Sequence, residues 1–132
     1  MEYVPYIAIL YAYALVYAPR QIAGAEMKKL AGGYNNNDPR GQQAQLEGRG
    51  KRAIAAHHNS FEAFAPFAAG VLASVQRGVK LEYIAIACAV FAVARTGYIV
   101  AYINDKATLR SSLWTVGILA TAALMILAIV GR

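Results

Sequence analysis

Two ionisable side chains interrupt otherwise apolar stretches of this 132-residue chain, and they are the first candidates for chemistry. Glu62 lies in one apolar stretch and Arg95 lies in the next. A charged side chain at the centre of a membrane-spanning helix costs about 3 kcal/mol or more, so it usually pairs with another group or marks a functional site. The sequence therefore predicts that Glu62 and Arg95 face each other or face a polar ligand.

Each of these two residues belongs to a stripe of polar side chains. At 3.6 residues per turn, the stripes are Arg52, Asn59 and Glu62 on one helix, and Arg95, Tyr98 and Tyr102 on the next. If the helices are antiparallel neighbours, Glu62 and Arg95 lie at the same depth, roughly 15 Å from the helix ends at the basic side of the membrane. Such facing stripes form either an internal clasp between Glu62 and Arg95 or a cavity for a charged ligand, and both alternatives stay open.

The composition indicates which elements must position these stripes. The chain is 58% hydrophobic and only 15% charged, and half of its charged residues, ten of 20, lie in the segment 20–52. Four stretches approach the length of about 20 apolar residues that a membrane span requires. We therefore predict an all-α, single-domain bundle of four transmembrane helices at about 3–26, 50–76, 81–104 and 111–131, with a loop at about 27–49. A soluble bundle would carry a polar stripe on every helix, and the last stretch has none.

The distribution of Lys and Arg predicts how the bundle is oriented, because cytoplasmic loops are enriched in these residues. One face would carry Arg20, Lys28, Lys29, Arg40, Arg49, Lys51, Arg52, Lys106 and Arg110, and the opposite face would carry Arg77, Lys80 and Arg132. The basic loop is therefore predicted to be cytoplasmic and both termini to lie outside. This asymmetry explains the net charge of +6, since basic residues beside a membrane serve topology and contact with anionic lipid. No nucleic-acid partner is therefore expected.

Metal and disulfide chemistry is not expected in this chain. Cys88 is the single cysteine, and it lies within an apolar stretch. The two histidines, His57 and His58, are adjacent and have no companion ligands in the sequence. A structural or catalytic zinc site needs three or four such ligands. The sequence therefore predicts no disulfide and no metal centre.

The polar stripes resemble a known family. The run from Arg52 to Phe64, with its Arg, His, Asn and Glu spacing, resembles the second-helix signature of the MAPEG family, membrane-associated proteins of eicosanoid and glutathione metabolism. The pattern Arg95-x-x-Tyr98-x-x-x-Tyr102 is similar to that of the third helix, and Arg110-Ser111 to the start of the fourth. The resemblance covers about residues 34–114. It is greatest to the small bacterial branch, which implies a bacterial inner membrane.

This resemblance implies a homotrimer of four-helix protomers that binds glutathione between neighbouring subunits near the cytoplasmic face. The residues that it places around glutathione are Arg52, His57, Asn59, Glu62, Arg95, Tyr98 and Tyr102. It makes Arg110, beside Ser111, and Tyr102 the candidates for stabilising the reactive thiolate. The implied second substrate is a lipophilic electrophile or a lipid hydroperoxide that enters from the bilayer.

The sequence also departs from the family pattern. Ala55 stands where the mammalian enzymes have a second arginine, and Arg20 is the one candidate for their first-helix arginine. The spacing from Tyr102 to Arg110 also differs among branches. Two functions therefore remain open: a glutathione-dependent transferase or peroxidase, and a non-catalytic membrane protein that binds lipid or a protein partner and in which Glu62 and Arg95 are structural.

Overall fold

The protein is all-helical over residues 1–131, the part of the chain that the computed structural model describes. Five α-helices lie within those residues: α1 (Val4–Met27), α2 (Pro39–Ala44), α3 (Gly48–Gln76), α4 (Leu81–Ile103) and α5 (Ala107–Val130). The predicted all-α class is therefore confirmed. Arg132, which the orientation argument assigned to the outer face, lies outside the described residues.

The last helix begins earlier than hydropathy predicts, at Ala107 rather than at about residue 111. Its first turn contains polar residues, which lower the local hydropathy but form a normal helical turn. The Arg110 N–H, for example, donates to the carbonyl of Lys106 at 2.9 Å. Arg110 therefore belongs to the first turn of α5, and not to the preceding loop.

The basic loop contains a short helix of its own, α2. The Asp38 carboxylate accepts a hydrogen bond from the Gly41 N–H at 2.9 Å, and Pro39 occupies the first turn, where a backbone N–H is not needed. Buried Gln42 then joins α2 to the preceding turn, because its amide donates to Gly33 O at 2.7 Å and accepts from Asn35 N at 3.0 Å. Side-chain hydrogen bonds thus order this loop.

Helices α3 and α4 pack antiparallel at the centre of the bundle. Contacts between them run in opposite directions along the two sequences: Arg52 with Ile103, Asn59 with Arg95, and Phe67 with Phe91. Helix α1 packs on one side of this pair and α5 on the other, and α1 and α5 share no contact within the described residues. One apolar cluster surrounds the Phe67–Phe91 stack, and a second surrounds Met27 and Ala53. Asn59 and Arg95 lie between the two clusters, whereas Tyr98 belongs to the second cluster and Tyr102 packs against it.

Two helices of the described chain are long and apolar enough to cross a membrane. These are α4, with a mean hydropathy of 2.0, and α5, with a mean hydropathy of 2.4. The other two long helices are less apolar, because α1 contains several tyrosines and prolines and the first half of α3 contains basic residues and histidines. Two of the four predicted spans are thus supported, and the four-span bundle remains a prediction.

The end of α3 provides a test of the fold that is independent of function. Gly78 adopts a φ of 71°, and the N–H groups of Gly78 and Val79 donate to the carbonyls of Val75 and Ser74. A left-handed conformation costs an L-residue about 1 kcal/mol more than it costs glycine. No atom lies within 4 Å of a Cβ built on Gly78, so only backbone strain should matter. Gly78→Ala is therefore expected to lower the free energy of unfolding by about 1 kcal/mol, measured by denaturation in detergent.

Gly24→Ala in α1 is the matched control. This glycine lies inside a helix, and its added Cβ would meet Arg20 Nη1 at an ordinary contact distance of 3.4 Å. Alanine is a better helix former than glycine by about 1 kcal/mol, so this variant should be as stable as the parent or more stable. Equal stability of Gly78→Ala and the parent would contradict the proposed strain at the end of α3.

Candidate functional site

Arg95 joins α4 to α3 through its guanidinium group. Its Nη1 donates to Asn59 Oδ1 at 3.0 Å, and its Nη2 donates to Ser60 Oγ at 3.3 Å. Arg95 is only 3% exposed, so these bonds form in the interior of the helical bundle. The structure thus brings the two polar stripes together through Arg95, Asn59 and Ser60.

Glu62 does not pair directly with Arg95, which corrects the simplest form of the predicted clasp. Within residues 1–131 the ion pairs are Lys29–Glu26 and Arg52–Asp105. Asn59 stands between the two charges instead: its Oδ1 accepts from Arg95, and its Nδ2 donates to Glu62 Oε2 at 3.2 Å. An amide can bridge in this way because it carries both an acceptor and donors. The carboxylate of Glu62 therefore remains at the exposed edge of the site.

A continuous stack of side chains leads from Arg95 to Arg110. The Arg95 guanidinium lies over the Tyr98 ring at 4.1 Å, and Tyr98 meets Tyr102 edge-on with ring centroids 5.6 Å apart. The Arg110 guanidinium then lies over the Tyr102 ring at 4.6 Å. Cation–π contacts of this kind hold both arginines in place without neutralising them. Because α5 begins at Ala107, its first turn brings Arg110 beside the end of α4.

Members of this stack differ in accessibility. Arg95 and Tyr98 are buried within the protomer, whereas Tyr102 and Arg110 are partly exposed. Asn59 is partly exposed and Glu62 is exposed. A ligand that lies along this surface would therefore contact Glu62, Tyr102 and Arg110 most directly, with Arg95 and Tyr98 behind them.

Arg52 performs a structural task that the sequence did not indicate. Its Nε donates to the carbonyl of Ile103 at 3.1 Å, and its Nη1 lies 3.9 Å from the Asp105 carboxylate. Carbonyls in the last turn of a helix have no intrahelical partner, and a cation near them is also favoured by the helix dipole. Arg52 therefore caps the C-terminal end of α4. It lies on the same face of α3 as Asn59 and Glu62.

His57 is not brought to the Asn59–Arg95 cluster. It is buried against α1, where its Nδ1 donates to the carbonyl of Val16 at 2.6 Å. Its ring also packs against Tyr17 and Phe61, at 5.9 and 5.1 Å between centroids. The protomer places His57 between α1 and α3, although the resemblance groups it with the residues around glutathione.

Arg20 lies at the last turns of α1, apart from the stack. It lines an open cleft of about 400 Å³ together with Lys28 and Tyr34. Its Nη1 contacts the sulfur of Met27 at 3.8 Å. Within the described chain, Arg20 therefore lies apart from Glu62 and from the stack that ends at Arg110.

A cavity of about 320 Å³, the α3–α5 cavity, is lined mainly by α3 and α5, with Phe91 and Arg95 of α4, and adjoins Glu62. Its polar end consists of Asn59, Glu62 and Arg95, and its apolar side chains include Phe91, Ile118 and Met125. Gly117 allows Arg95 to cross α5 closely, since a Cβ at Gly117 would lie 3.2 Å from Arg95 Cδ. The cavity therefore combines one charged end with an apolar body.

Three contributors to this region were not singled out from the sequence: Ser60, Pro66 and Gly117. Ser60 accepts from Arg95 and donates to the carbonyl of Ala56 at 2.8 Å. Pro66 lines the cavity and has no N–H. A small polar residue beside Asn59, and a proline one turn after Glu62, are sequence signals that would have indicated the first two.

Comparison with known proteins identifies the family of this all-helical chain. The family model described as the MAPEG family matches residues 4–130. The chain belongs to the MAPEG family, and with its two apolar helices it is an integral membrane protein. No curated protein and no solved structure gave a significant match.

Proposed function

We propose that this protein is a membrane-bound, glutathione-dependent transferase or peroxidase that acts on lipophilic electrophiles or lipid hydroperoxides. The observation that carries the proposal is the continuous surface from Glu62 through Asn59 to the Arg95–Tyr98–Tyr102–Arg110 stack. It presents an anionic group at one end and a partly exposed cation at the other. Membership of the MAPEG family is consistent with this activity.

The two ends of this surface suit the two ends of glutathione. A carboxylate such as that of Glu62 suits the ammonium group of the peptide, and arginines bind carboxylates and thiolates through charge-assisted hydrogen bonds. The reactive form of a thiol is the thiolate. Arg110, held over the Tyr102 ring, is the residue that we assign to the sulfur, and the Tyr102 hydroxyl is a second donor.

The proposed transfer step is a nucleophilic substitution. Thiolate sulfur forms a bond to the electrophilic carbon, and the leaving group departs with the electron pair of the broken bond. In the peroxidase reaction, two glutathione thiols are oxidised to the disulfide while the hydroperoxide is reduced to an alcohol and water. Arg110 favours either reaction by stabilising the thiolate relative to the thiol, which raises the fraction of bound glutathione in the reactive form.

The proposal includes the assembly and its placement in the membrane. We propose a homotrimer with four spanning helices per protomer, in a bacterial inner membrane, with the basic loop in the cytoplasm and both termini outside. Exposed apolar side chains along α1 and α5, such as Ile7, Leu10, Leu119 and Ile126, suit contact with lipid or with neighbouring copies. Contacts to glutathione from a neighbouring subunit would add to those of the Glu62–Arg110 surface.

Glutathione binding tests the proposal most directly. Titration of the purified protein in non-ionic detergent, followed by calorimetry and by thiolate ultraviolet absorbance, is expected to show saturable binding and thiolate formation. Glu62→Gln should weaken binding about tenfold or more, because a hydrogen bond to a charged group contributes about 1.5–3 kcal/mol. Glu82→Gln is the matched control and should bind like the parent. Glu82 is an exposed glutamate in the first turn of α4, at the opposite end of that helix from Tyr102.

Two outcomes would contradict this reading. Absence of binding at millimolar glutathione would remove the ligand from the proposal altogether. Binding without thiolate formation would keep a glutathione site but remove Arg110 from catalysis.

A second candidate function is a non-catalytic member of the same fold that binds lipid or a protein partner. The observation that favours it is the burial of Arg95 and Tyr98, because Arg95 is bonded to Asn59 and Ser60 within the protomer. In this alternative the stack stabilises the bundle and carries no ligand. Glutathione binding with thiolate formation would exclude it.

A further inference from the structure

The Glu62 carboxylate has no cationic partner in the described chain. Its Oε2 accepts one hydrogen bond from Asn59, and no described Lys, Arg or His nitrogen lies within ion-pairing distance of it. Arg95, the neighbouring cation, directs its nitrogens to Asn59 and Ser60 and its face to the Tyr98 ring. The proposed function makes α3 a membrane-spanning helix, and an ionised carboxylate within such a helix is unfavourable unless a cation joins it. The site is therefore suited to a ligand that brings a positive charge.

Pro66 leaves the backbone carbonyl of Glu62 as a second hydrogen-bond acceptor beside the Glu62 carboxylate. A proline inside a helix has no N–H, so the carbonyl four residues earlier loses its helical hydrogen bond. Pro66 lies inside α3, and the carbonyl that it leaves without a helical donor is that of Glu62. An unsatisfied carbonyl in a membrane is costly. A ligand with several N–H donors could satisfy both the carboxylate and the carbonyl of Glu62.

The rest of the cavity is apolar and of small-molecule size. Its volume of about 320 Å³ is near the lower end of the range for small-molecule pockets. Beyond Glu62 its apolar lining includes Phe91, Ile118 and Met125, and Trp114 lies at its edge. Arg110 is absent from this lining, so the cavity extends from Glu62 along a different part of α5.

We propose that the α3–α5 cavity binds a lipophilic primary amine. The ammonium group donates to the carboxylate and the carbonyl of Glu62, and the apolar body of the ligand packs between Phe91, Ile118 and Met125. This binding does not depend on glutathione-dependent activity. A bound amine would, however, occupy the carboxylate that the proposed function gives to the ammonium of glutathione, so the two ligands would compete.

The single tryptophan of the chain, Trp114, lies at the cavity and reports binding. Fluorescence of the purified full-length protein in non-ionic detergent would be titrated with n-octylamine, with neutral n-octanol and with n-octyltrimethylammonium. Octylamine is expected to bind about tenfold or more tightly than octanol, since its hydrogen bonds involve charged groups. It should also bind more tightly than the quaternary ammonium, which has no N–H donor.

Three variants separate the parts of the site. Glu62→Gln should remove the preference for octylamine over octanol, and Glu82→Gln should retain it. Ala122→Phe, which fills the apolar part of the cavity, should weaken octylamine and octanol together. Size-exclusion chromatography checks that each variant is folded, and Ala122→Phe still tests the cavity if Glu62→Gln does not fold.

The proposal is overturned if the parent binds octylamine and octanol equally, or if the preference survives in Glu62→Gln. Equal binding of octylamine and the quaternary ammonium would overturn the assignment of the N–H donors. Failure of this proposal can be distinguished from failure of the glutathione proposal, because glutathione binding is measured separately. Amine preference without glutathione binding would contradict only the proposed function, and the reverse result would contradict only the amine site.

Discussion

Replacing Arg95 with glutamine is expected to lower the free energy of unfolding by about 3 kcal/mol. Arg95 is 3% exposed. Its guanidinium extends from α4 to donate to Asn59 and Ser60 of α3, and it lies over the Tyr98 ring. The shorter, neutral side chain would leave Asn59 and Ser60 without their donors in an apolar environment. Denaturation of the purified protein in detergent, followed by circular dichroism, measures the loss.

Two control variants, Arg95→Lys and Arg40→Gln, separate the effect of the buried hydrogen bonds from that of removing an arginine charge. Arg95→Lys keeps the charge but not the forked geometry, so it should be intermediate in stability. Arg40→Gln removes an exposed arginine of α2 and should change stability by less than about 0.5 kcal/mol. If Arg95→Gln is as stable as the parent, the buried bonds of Arg95 contribute little. The non-catalytic alternative, in which this group is structural, would then lose its main support.

Replacing Arg110 with alanine is expected to reduce the turnover of glutathione conjugation by about tenfold or more, because less of the bound glutathione would be in the reactive thiolate form. Glutathione affinity should fall much less, because Glu62, Asn59 and Tyr102 remain. The reason is that Arg110 is assigned to the sulfur and is held there by the Tyr102 ring at 4.6 Å. Steady-state kinetics with an aryl halide, together with calorimetric glutathione binding, separates the two effects.

Two further variants isolate the role of Arg110. Lys106→Ala removes an exposed cation from the N-cap of α5 and should leave turnover close to that of the parent. Tyr102→Phe keeps the ring under Arg110 but removes the hydroxyl, so it measures whether that hydroxyl also donates to the thiolate. Equal losses of turnover and glutathione affinity in Arg110→Ala would argue against a thiolate role and for simple binding.

Much of the fold follows from local sequence signals. Apolar length predicts α4 and α5, glycine after Arg77 ends α3 in a left-handed turn, and Asp38 before Pro39 begins α2. The family assignment also follows from the sequence, because its motifs are short patterns on single helices, and the family model confirms it over residues 4–130. Hydropathy predicted the start of α5 about one turn too late, because the first turn of this helix is polar.

Spacing on the helices determined which side chains share a face, since the helical repeat is a local property. It placed Arg95, Tyr98 and Tyr102 on one stripe, and the structure shows the two tyrosines in edge contact. The contacts across helices could not be read in this way. Whether Glu62 meets Arg95 directly or through Asn59 depends on side-chain lengths and on how closely α3 and α4 approach.

The sequence by itself thus determined the helical class and the residues of each polar stripe, because these depend on local hydrophobicity and helical periodicity. The family was indicated by the resemblance of its motifs and confirmed by the family model. Only the tertiary structure decided that Arg95 bonds Asn59 and Ser60, that Arg52 closes α4, and that His57 faces α1. Only the packing of α5 against α3 and α4 placed Arg110 over Tyr102 and left a cavity beside Glu62. These features depend on distances between helices that are remote in sequence, and a one-dimensional pattern contains no measure of such distances.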